Sequence, residues 1–204
     1  YVIRENGQEW IDGDANPATK GVFKVLASAY EVSSPGAADL DGDGFPELVY
    51  GGFDSRFYAW KSDGTNVPGF PFTANGPIGS SPAIGYLDGT GDNVPEIVFA
   101  SASDSLYILE PDGRRRAGWP KFIKSGGNSK SPSPAIADMN NDGFPDVVYM
   151  STNGGVYAFN RDGSPLAPWT GVRYSTLTFS ASESSPVVAD ITGESLTTAV
   201  KEAL

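Results

Sequence analysis

Three runs of β-branched and aromatic residues stand at equivalent places along the chain: Glu47-Leu48-Val49-Tyr50, Glu96-Ile97-Val98-Phe99 and Asp146-Val147-Val148-Tyr149. The apolar residues after the leading acid of each run, rich in β-branched and aromatic side chains, predict a strand. A small-residue run precedes each one, as in Ser133-Pro134-Ala135-Ile136-Ala137, and suits a strand in the crowded inner ring of a closed assembly. After each comes a short polar turn and a second apolar run: Phe57-Tyr58-Ala59-Trp60, Leu106-Tyr107-Ile108-Leu109 and Val156-Tyr157-Ala158-Phe159. These end at Asp63-Gly64, Asp112-Gly113 and Asp162-Gly163, dipeptides that favour a hairpin turn into a fourth strand.

The pattern is therefore a repeat of four strands, a to d. The prolines Pro35, Pro82, Pro134 and Pro186 mark its period at 47, 52 and 52 residues, the length of a four-stranded propeller blade. The expected fold is all-β, a β-propeller of four-stranded antiparallel blades in a single domain over 1–204. Blades span 33–79, 80–130 and 131–183; residues 1–32 supply strands c and d of a partial blade, with Tyr1-Val2-Ile3 as strand c, and 184–204 begin a further one. About four blades' worth of chain could close a small ring or form an arc of a six- to eight-bladed one. The first residue, Tyr1, is not Met, which favours the arc. A sheet edge must be covered either way, by the chain's own ends, by the missing remainder of the ring or by another copy. The tail from Gly193 places Leu196, Val200 and Leu204 on one helical face, whereas the repeat calls for strand b there.

Acidic loops join strands a and b. The first carries Asp39, Asp41, Asp43, Gly44 and Glu47 at positions 1, 3, 5, 6 and 9, and the third carries Asp138, Asn140, Asp142, Gly143 and Asp146 at the same positions. In the second loop Tyr86 aligns with Asp39, but a frame shifted by two residues restores the pattern as Asp88, Thr90, Asp92, Asn93 and Glu96. Asn at position 6 tolerates the left-handed backbone that Gly supplies. Alternate oxygen-bearing side chains in a tight loop are what a hard cation needs, and calcium takes about six to eight oxygens, mixing carboxylates with a backbone carbonyl. The carbonyl donors would be those of Phe45, Val94 and Phe144. Position 12 is Tyr50, Phe99 or Tyr149 rather than Glu, and strands flank the loop, so this is not an EF-hand. A fourth copy, Asp190, Thr192, Glu194, Ser195 and Thr198, lacks an acid at position 9.

Charge sharpens the picture. The three loops hold 10 of the 25 acids, and without them 15 acids face 14 bases, so the formal charge of -11 belongs almost wholly to the loops. Two to three Ca2+ ions would offset much of it; empty, each loop holds like charges a few Å apart. The alternative is that Asp and Gly merely favour turns.

The chain has no Cys and no His, which excludes disulfides, thiolate nucleophiles, His-containing triads and the usual zinc sites. Its acidity argues against nucleic acid, and no apolar run approaches a membrane span, so no membrane insertion is expected.

The loops, of the form D-x-[DNT]-x-D-[GN]-x-P-[DE] between a Ser-Pro strand and an apolar strand, resemble the FG-GAP/VCBS-type repeats of integrin-α-like β-propellers. The resemblance covers Ser33 to Asp190, and Val-Tyr-Gly-Gly and Ser-Ser-Pro in place of the literal family signature put it nearer the bacterial branch. It implies calcium in the a–b loops, an extracellular or cell-surface setting, with the periplasm as an alternative, and a non-catalytic role in adhesion or ligand binding, the ligand being protein or carbohydrate. Two other readings are a propeller of a secreted polysaccharide lyase or hydrolase, and a structural spacer.

Two further features have plain structural readings. Arg114-Arg115-Arg116 reads as a charged outer strand d that discourages edge pairing, though it could bind an anionic glycan. Trp119 in Gly-Trp-Pro and Phe70 in Gly-Phe-Pro occupy matching places and read as blade-to-blade packing rather than as sugar platforms, and Trp169 follows the same rule.

Overall fold

Strand b of each repeat is apolar on both faces, which a strand sustains only when neighbours cover it from two sides. The computed structural model describes residues 24, 26, 33–89, 91, 93–123, 131–152, 155–173 and 185–188, without the side chains of 168–173. The strands expected from residues 1–32, most of the fourth repeat and the 191–204 tail lie outside the described residues, as does the side chain of Trp169.

Three antiparallel four-stranded sheets follow one another, each a meander in chain order. The first is β1 (Gly36–Ala38), β2 (Glu47–Gly51), β3 (Arg56–Trp60) and β4 (Phe72–Thr73). The second is β5 (Ala83–Gly85), β6 (Glu96–Ser101), β7 (Ser105–Leu109) and β8 (Lys121–Phe122). The third is β9 (Ala135–Ala137), β10 (Asp146–Met150), β11 (Gly155–Phe159) and β12 (Pro165–Arg173). The class is all-β and the sheets are propeller blades. No helix among the described residues is long and apolar enough to cross a membrane.

Period-two alternation divides the middle blade between its neighbours. Ile97, Phe99, Tyr107 and Leu109 share one core with Val49, Phe57 and Phe70 of the first blade. Val98, Ala100, Leu106 and Ile108 share another with Val147 and Tyr149 of the third. Every residue of β6 and β7 is buried as a result. Phe57 stacks on Phe99 at 4.5 Å between ring centres, and Phe99 on Tyr107 at 5.0 Å.

The strand a segments converge, and small residues let them. Ile84 lies against Gly36 and Ile136 against Gly85, where an added Cβ would stand 2.9 Å and 3.4 Å from the isoleucine methyls. A serine relay locks the blades in register. The Ser34 N–H donates to Ser81 Oγ (2.9 Å), the Ser81 N–H to Ser133 Oγ (2.9 Å) and the Ser133 N–H to Ser185 Oγ (3.0 Å). Each serine precedes one of the prolines that mark the period.

Strand d departs from expectation. In the first two blades it does not run on from the Asp-Gly turn: Asn66 and Arg115 make single bridges to β3 and β7, and β4 and β8 are two residues long, whereas in the third β12 begins two residues after Asp162-Gly163 as the pattern implies. Gly69-Phe70-Pro71 and Gly118-Trp119-Pro120 interrupt it, with positive φ at both glycines and no N–H on either proline. The interruption drives the aromatic residue inward. Trp119 meets Phe159 of the third blade edge-on at 5.7 Å and donates from Nε1 to the Arg161 carbonyl at 3.1 Å, so it packs between blades as its position implied.

Gly118 shows how closely the blades approach. Its φ is +83°, and a Cβ there would stand 2.4 Å from the Asp162 carbonyl oxygen. Gly118→Ala is expected to lower stability by at least about 2 kcal/mol, the sum of left-handed strain and a backbone clash. Urea unfolding measures it, and a loss below about 0.5 kcal/mol, the range of ordinary surface substitutions, would show that the blades do not pack through this glycine.

Candidate metal centres

Strands a and b pair so that the last residue of a faces the first of b: Ala38 opposite Glu47, Gly85 opposite Glu96, Ala137 opposite Asp146. The position-9 acid thus enters the sheet and is almost completely buried, at 2%, 1% and 2% exposure respectively. Among the described residues, each accepts one N–H from across the loop. Leu40 donates to Glu47 Oε2 (2.7 Å), Leu87 to Glu96 Oε2 (2.7 Å) and Met139 to Asp146 Oδ2 (2.9 Å). A buried carboxylate held by one N–H is under-compensated. Burial raises Glu47, Glu96 and Asp146 above their ordinary ranges, Asp146 up to about 6, against the opposing pull of the donated N–H.

In the first loop the chain wraps around Asp39. Its Oδ1 accepts from Gly42 (2.7 Å) and Asp43 (3.1 Å), and its Oδ2 from Gly44 (2.8 Å). Left-handed φ at Gly42 and Gly44 aims those N–H groups inward. Asp43 Oδ1 accepts from Phe45 N–H at 2.8 Å. Oxygens of Asp39, Asp41 and Asp43 all fall within 4.8 Å of one another. Lys61 reaches this cluster, 2.5 Å from Asp41 Oδ2 and 3.9 Å from Asp43 Oδ2, and its hydrogen bond holds Asp41 below the usual carboxylate range. Its side chain is 34% exposed.

The third loop repeats this wrapping. Asp138 Oδ1 accepts from Asn140 and Asp142, and Oδ2 from Gly143 at 2.9 Å, with positive φ at Asn141 and Gly143. Asn140 Nδ2 donates to Asp142 Oδ2 at 3.0 Å, and Asp142 Oδ1 accepts from Phe144. Beside it lies a cavity of about 360 Å³ lined by Asp142, Asp146, Asn160, Arg161 and Asp162 among others. Arg161 lies over the Phe144 ring at 3.7 Å.

The second loop is built differently. The shared N–H donor places Leu87 with Leu40 and Met139, so Tyr86 stands where Asp39 and Asp138 stand, and Asp88 stands where Asp41 and Asn140 do. The two extra residues fall after Leu87. Thr90 and Asp92 lie outside the described residues; Asn93 has φ +59°, the left-handed conformation expected at position 6. Val94 lies against the first loop, 3.7 Å from where a Cβ on Gly42 would be, and Phe144 lies similarly against Gly89 of the second at 3.4 Å. Phe45 is 68% exposed.

Asp88 and Glu96 converge with Glu110, a residue the sequence pattern does not single out. Among them sits the Arg116 guanidinium: Nη2 bonds Asp88 and lies 3.4 Å from Glu96 Oε1, and Nε bonds Glu110 Oε1 at 2.9 Å. Arg114 and Arg115 are exposed, but Arg116 is buried at 8%, so the reading of all three as outer surface charge fails for Arg116. The turn registers it with Val67 and Leu166, since Lys61, Glu110 and Asn160 each donate N–H to the residue two before it. That comparison of repeats is the signal that finds it.

The donor set is entirely oxygen, and in the first loop three carboxylates converge, which fits calcium better than a softer ion. Asp39, Asp41, Asp43 and Glu47, with the Phe45 carbonyl, are the residues that would hold it there.

A family profile described as an FG-GAP-like repeat matches residues 88–149, so the chain carries that repeat across the second and third blades. Similar solved structures include BBS1N in complex with ARL6DN. The lead-soaked crystals match at 17% identity and TM-score 0.48 over 70% of this chain and 41% of that one. The mercury-soaked crystals match at 17% and 0.48 over 72% and 46%. The chain spans less than half the length of those structures. No curated protein matches it.

The sign of the Asp146 shift makes it testable. A carboxyl whose folded pKa, about 6, lies above its unfolded value of 3.8 opposes folding once ionised. The penalty is absent below pH ~4, grows to about 3 kcal/mol as pH rises through 6 and then levels off. In EDTA, Asp146→Asn should therefore be more stable than wild type at pH 7, with the gap closing as pH falls to 4. A gap independent of pH in paired melting curves would contradict the assignment.

Proposed function

We propose that the chain is a calcium-stabilised propeller segment that works as a non-catalytic ligand-binding or adhesion module outside the cell. The observation that carries this reading is the first a–b loop, where a carboxylate cluster at FG-GAP-type spacing stands over a buried position-9 acid. A divalent ion there would offset most of the charge on Asp39, Asp41 and Asp43 and reduce the penalty on Glu47. It would also pin the end of strand a to the start of strand b. Loops that stand open to solvent and contain mixed carboxylate and carbonyl donors fit the weak affinities, about 10⁻⁴ to 10⁻³ M, of extracellular calcium modules.

The acids that cluster in the described blades are engaged with loop N–H groups, Lys61 or Arg116. That favours a binding module over the lyase or hydrolase reading, because general acid–base work needs a carboxyl free to exchange a proton with substrate. The ligand surface belongs elsewhere on the blades, with protein or carbohydrate as its class. It would be sought by screening the calcium-loaded protein against glycan and extracellular-protein arrays.

The calcium component is tested by melting the protein in excess EDTA and in calcium at about ten times the dissociation constant. Two ions at that saturation contribute about 3 kcal/mol, or about 6 to 12 °C in a domain of this size. Equal melting temperatures would sink the reading. So would unsaturated ends released from acidic polysaccharides, which would make the protein a lyase.

A further inference from the structure

We infer that the second a–b loop carries its cation covalently: Arg116 takes the place that a bound divalent ion would hold, so this blade is complete without metal. As far as it fixes the number of bound ions, this rests on the calcium reading of the other two loops.

The three blades put different things beside the same buried acid. In the first, Lys61 approaches from the rim on a partly exposed stem and can swing into solvent. In the third the residue in the place of Lys61 is the neutral Asn160, and beside Asp146 is a cavity whose lining includes Arg161, the guanidinium of which lies over the Phe144 ring rather than among the loop carboxylates. In the second, the position that is buried valine or leucine in the other blades is Arg116. Its guanidinium contacts Asp88, Glu96 and Glu110 from a side chain only 9% exposed. Among the described residues, those three carboxylates are the ones whose oxygens converge in this blade.

An arginine at an apolar position is unfavourable unless its charge is needed. Nη1 is buried with no hydrogen-bond partner among the described residues, so the side chain is not held there by a full set of hydrogen bonds. What holds it is the surrounding negative charge. Burial works against the guanidinium, yet Glu110, Glu96 and Asp88 outweigh it and raise its pKa. A guanidinium is always charged and weakly hydrated, which makes it the side chain suited to a dry acidic site. A divalent ion at the same oxygens would have to displace it into a packed interface.

The loop sequence carries the matching change. Tyr86 stands where the other loops have the aspartate that their backbone wraps. The second loop has thus lost the central carboxylate and gained an internal cation.

The test replaces Arg116 by the residues of its sister blades, Arg116→Val and Arg116→Leu, and counts bound calcium by native mass spectrometry and isothermal titration beside wild type. Each variant is expected to melt roughly 10 °C lower than wild type in EDTA, to recover in calcium and to bind one more ion. If these variants do not fold even with calcium, Arg116→Gln, which keeps length and loses charge, is measured the same way. No gain of an ion in any foldable variant, or failure of all three to fold in calcium, overturns the inference. So does a wild-type count that already includes an ion at Asp88 and Glu96. Wild type binding no calcium while a variant binds one would sustain the inference and overturn the calcium reading of the other loops.

Discussion

Each blade buries a carboxylate where strand b begins, and a single backbone N–H is its nearest compensation. That burial follows from the register of strands a and b, which sets the position-9 acid opposite the last residue of strand a. Moving it outward by one residue would turn the apolar strand over. The charge therefore has to be met where it stands. The acidic loop above it, Lys61 in the first blade, Arg116 in the second and the open cavity in the third are three settings of one electrostatic problem. In the first and third, the loop backbone wraps an aspartate and leaves oxygens for a cation; in the second, the cation is part of the chain.

The same economy of backbone governs assembly. Blades meet through Phe99 stacked between Phe57 and Tyr107, and through Trp119 inserted toward Phe159. Glycines at the c–d turns permit the approach. At the inner ring the serine relay gives each blade one hydrogen bond to the next, so the Ser-Pro pair that sets the repeat period also joins the repeats. Stability in such an array is a sum of blade and interface terms, and the middle blade, buried on both faces and carrying Arg116, is the part that would hold without any ion.

Much of this was legible in the chain. The proline period, the Asp-Gly turns, the strand b runs and the place of Trp119 are local signals, and local signals survive folding. The position-9 acids were legible as oxygen donors, but their burial was not, because burial depends on a register only the paired strands establish. The Asp-Gly turns point to a fourth strand directly after them, which holds for β12; in the first two blades Gly69-Phe70-Pro71 and Gly118-Trp119-Pro120 delay it, a break that the sequence shows only as a packing motif. Arg116 was hidden by its neighbours: three consecutive arginines read as surface charge, whereas only two of them are. Alignment against Val67 and Leu166 exposes the third, and the shifted second loop, with Tyr86 in the aspartate's place, is its partner change.

The most direct measurement is an anomalous difference map from crystals of the wild-type protein grown with terbium, which takes calcium's oxygen ligands. The account predicts peaks within coordination distance of Asp39, Asp41 and Asp43 and within the Asp138–Asp146 loop, with Arg116 still between Asp88 and Glu96 and no peak beside it. A peak at Asp88 and Glu96 with Arg116 displaced, or no peak at the first loop, would contradict it.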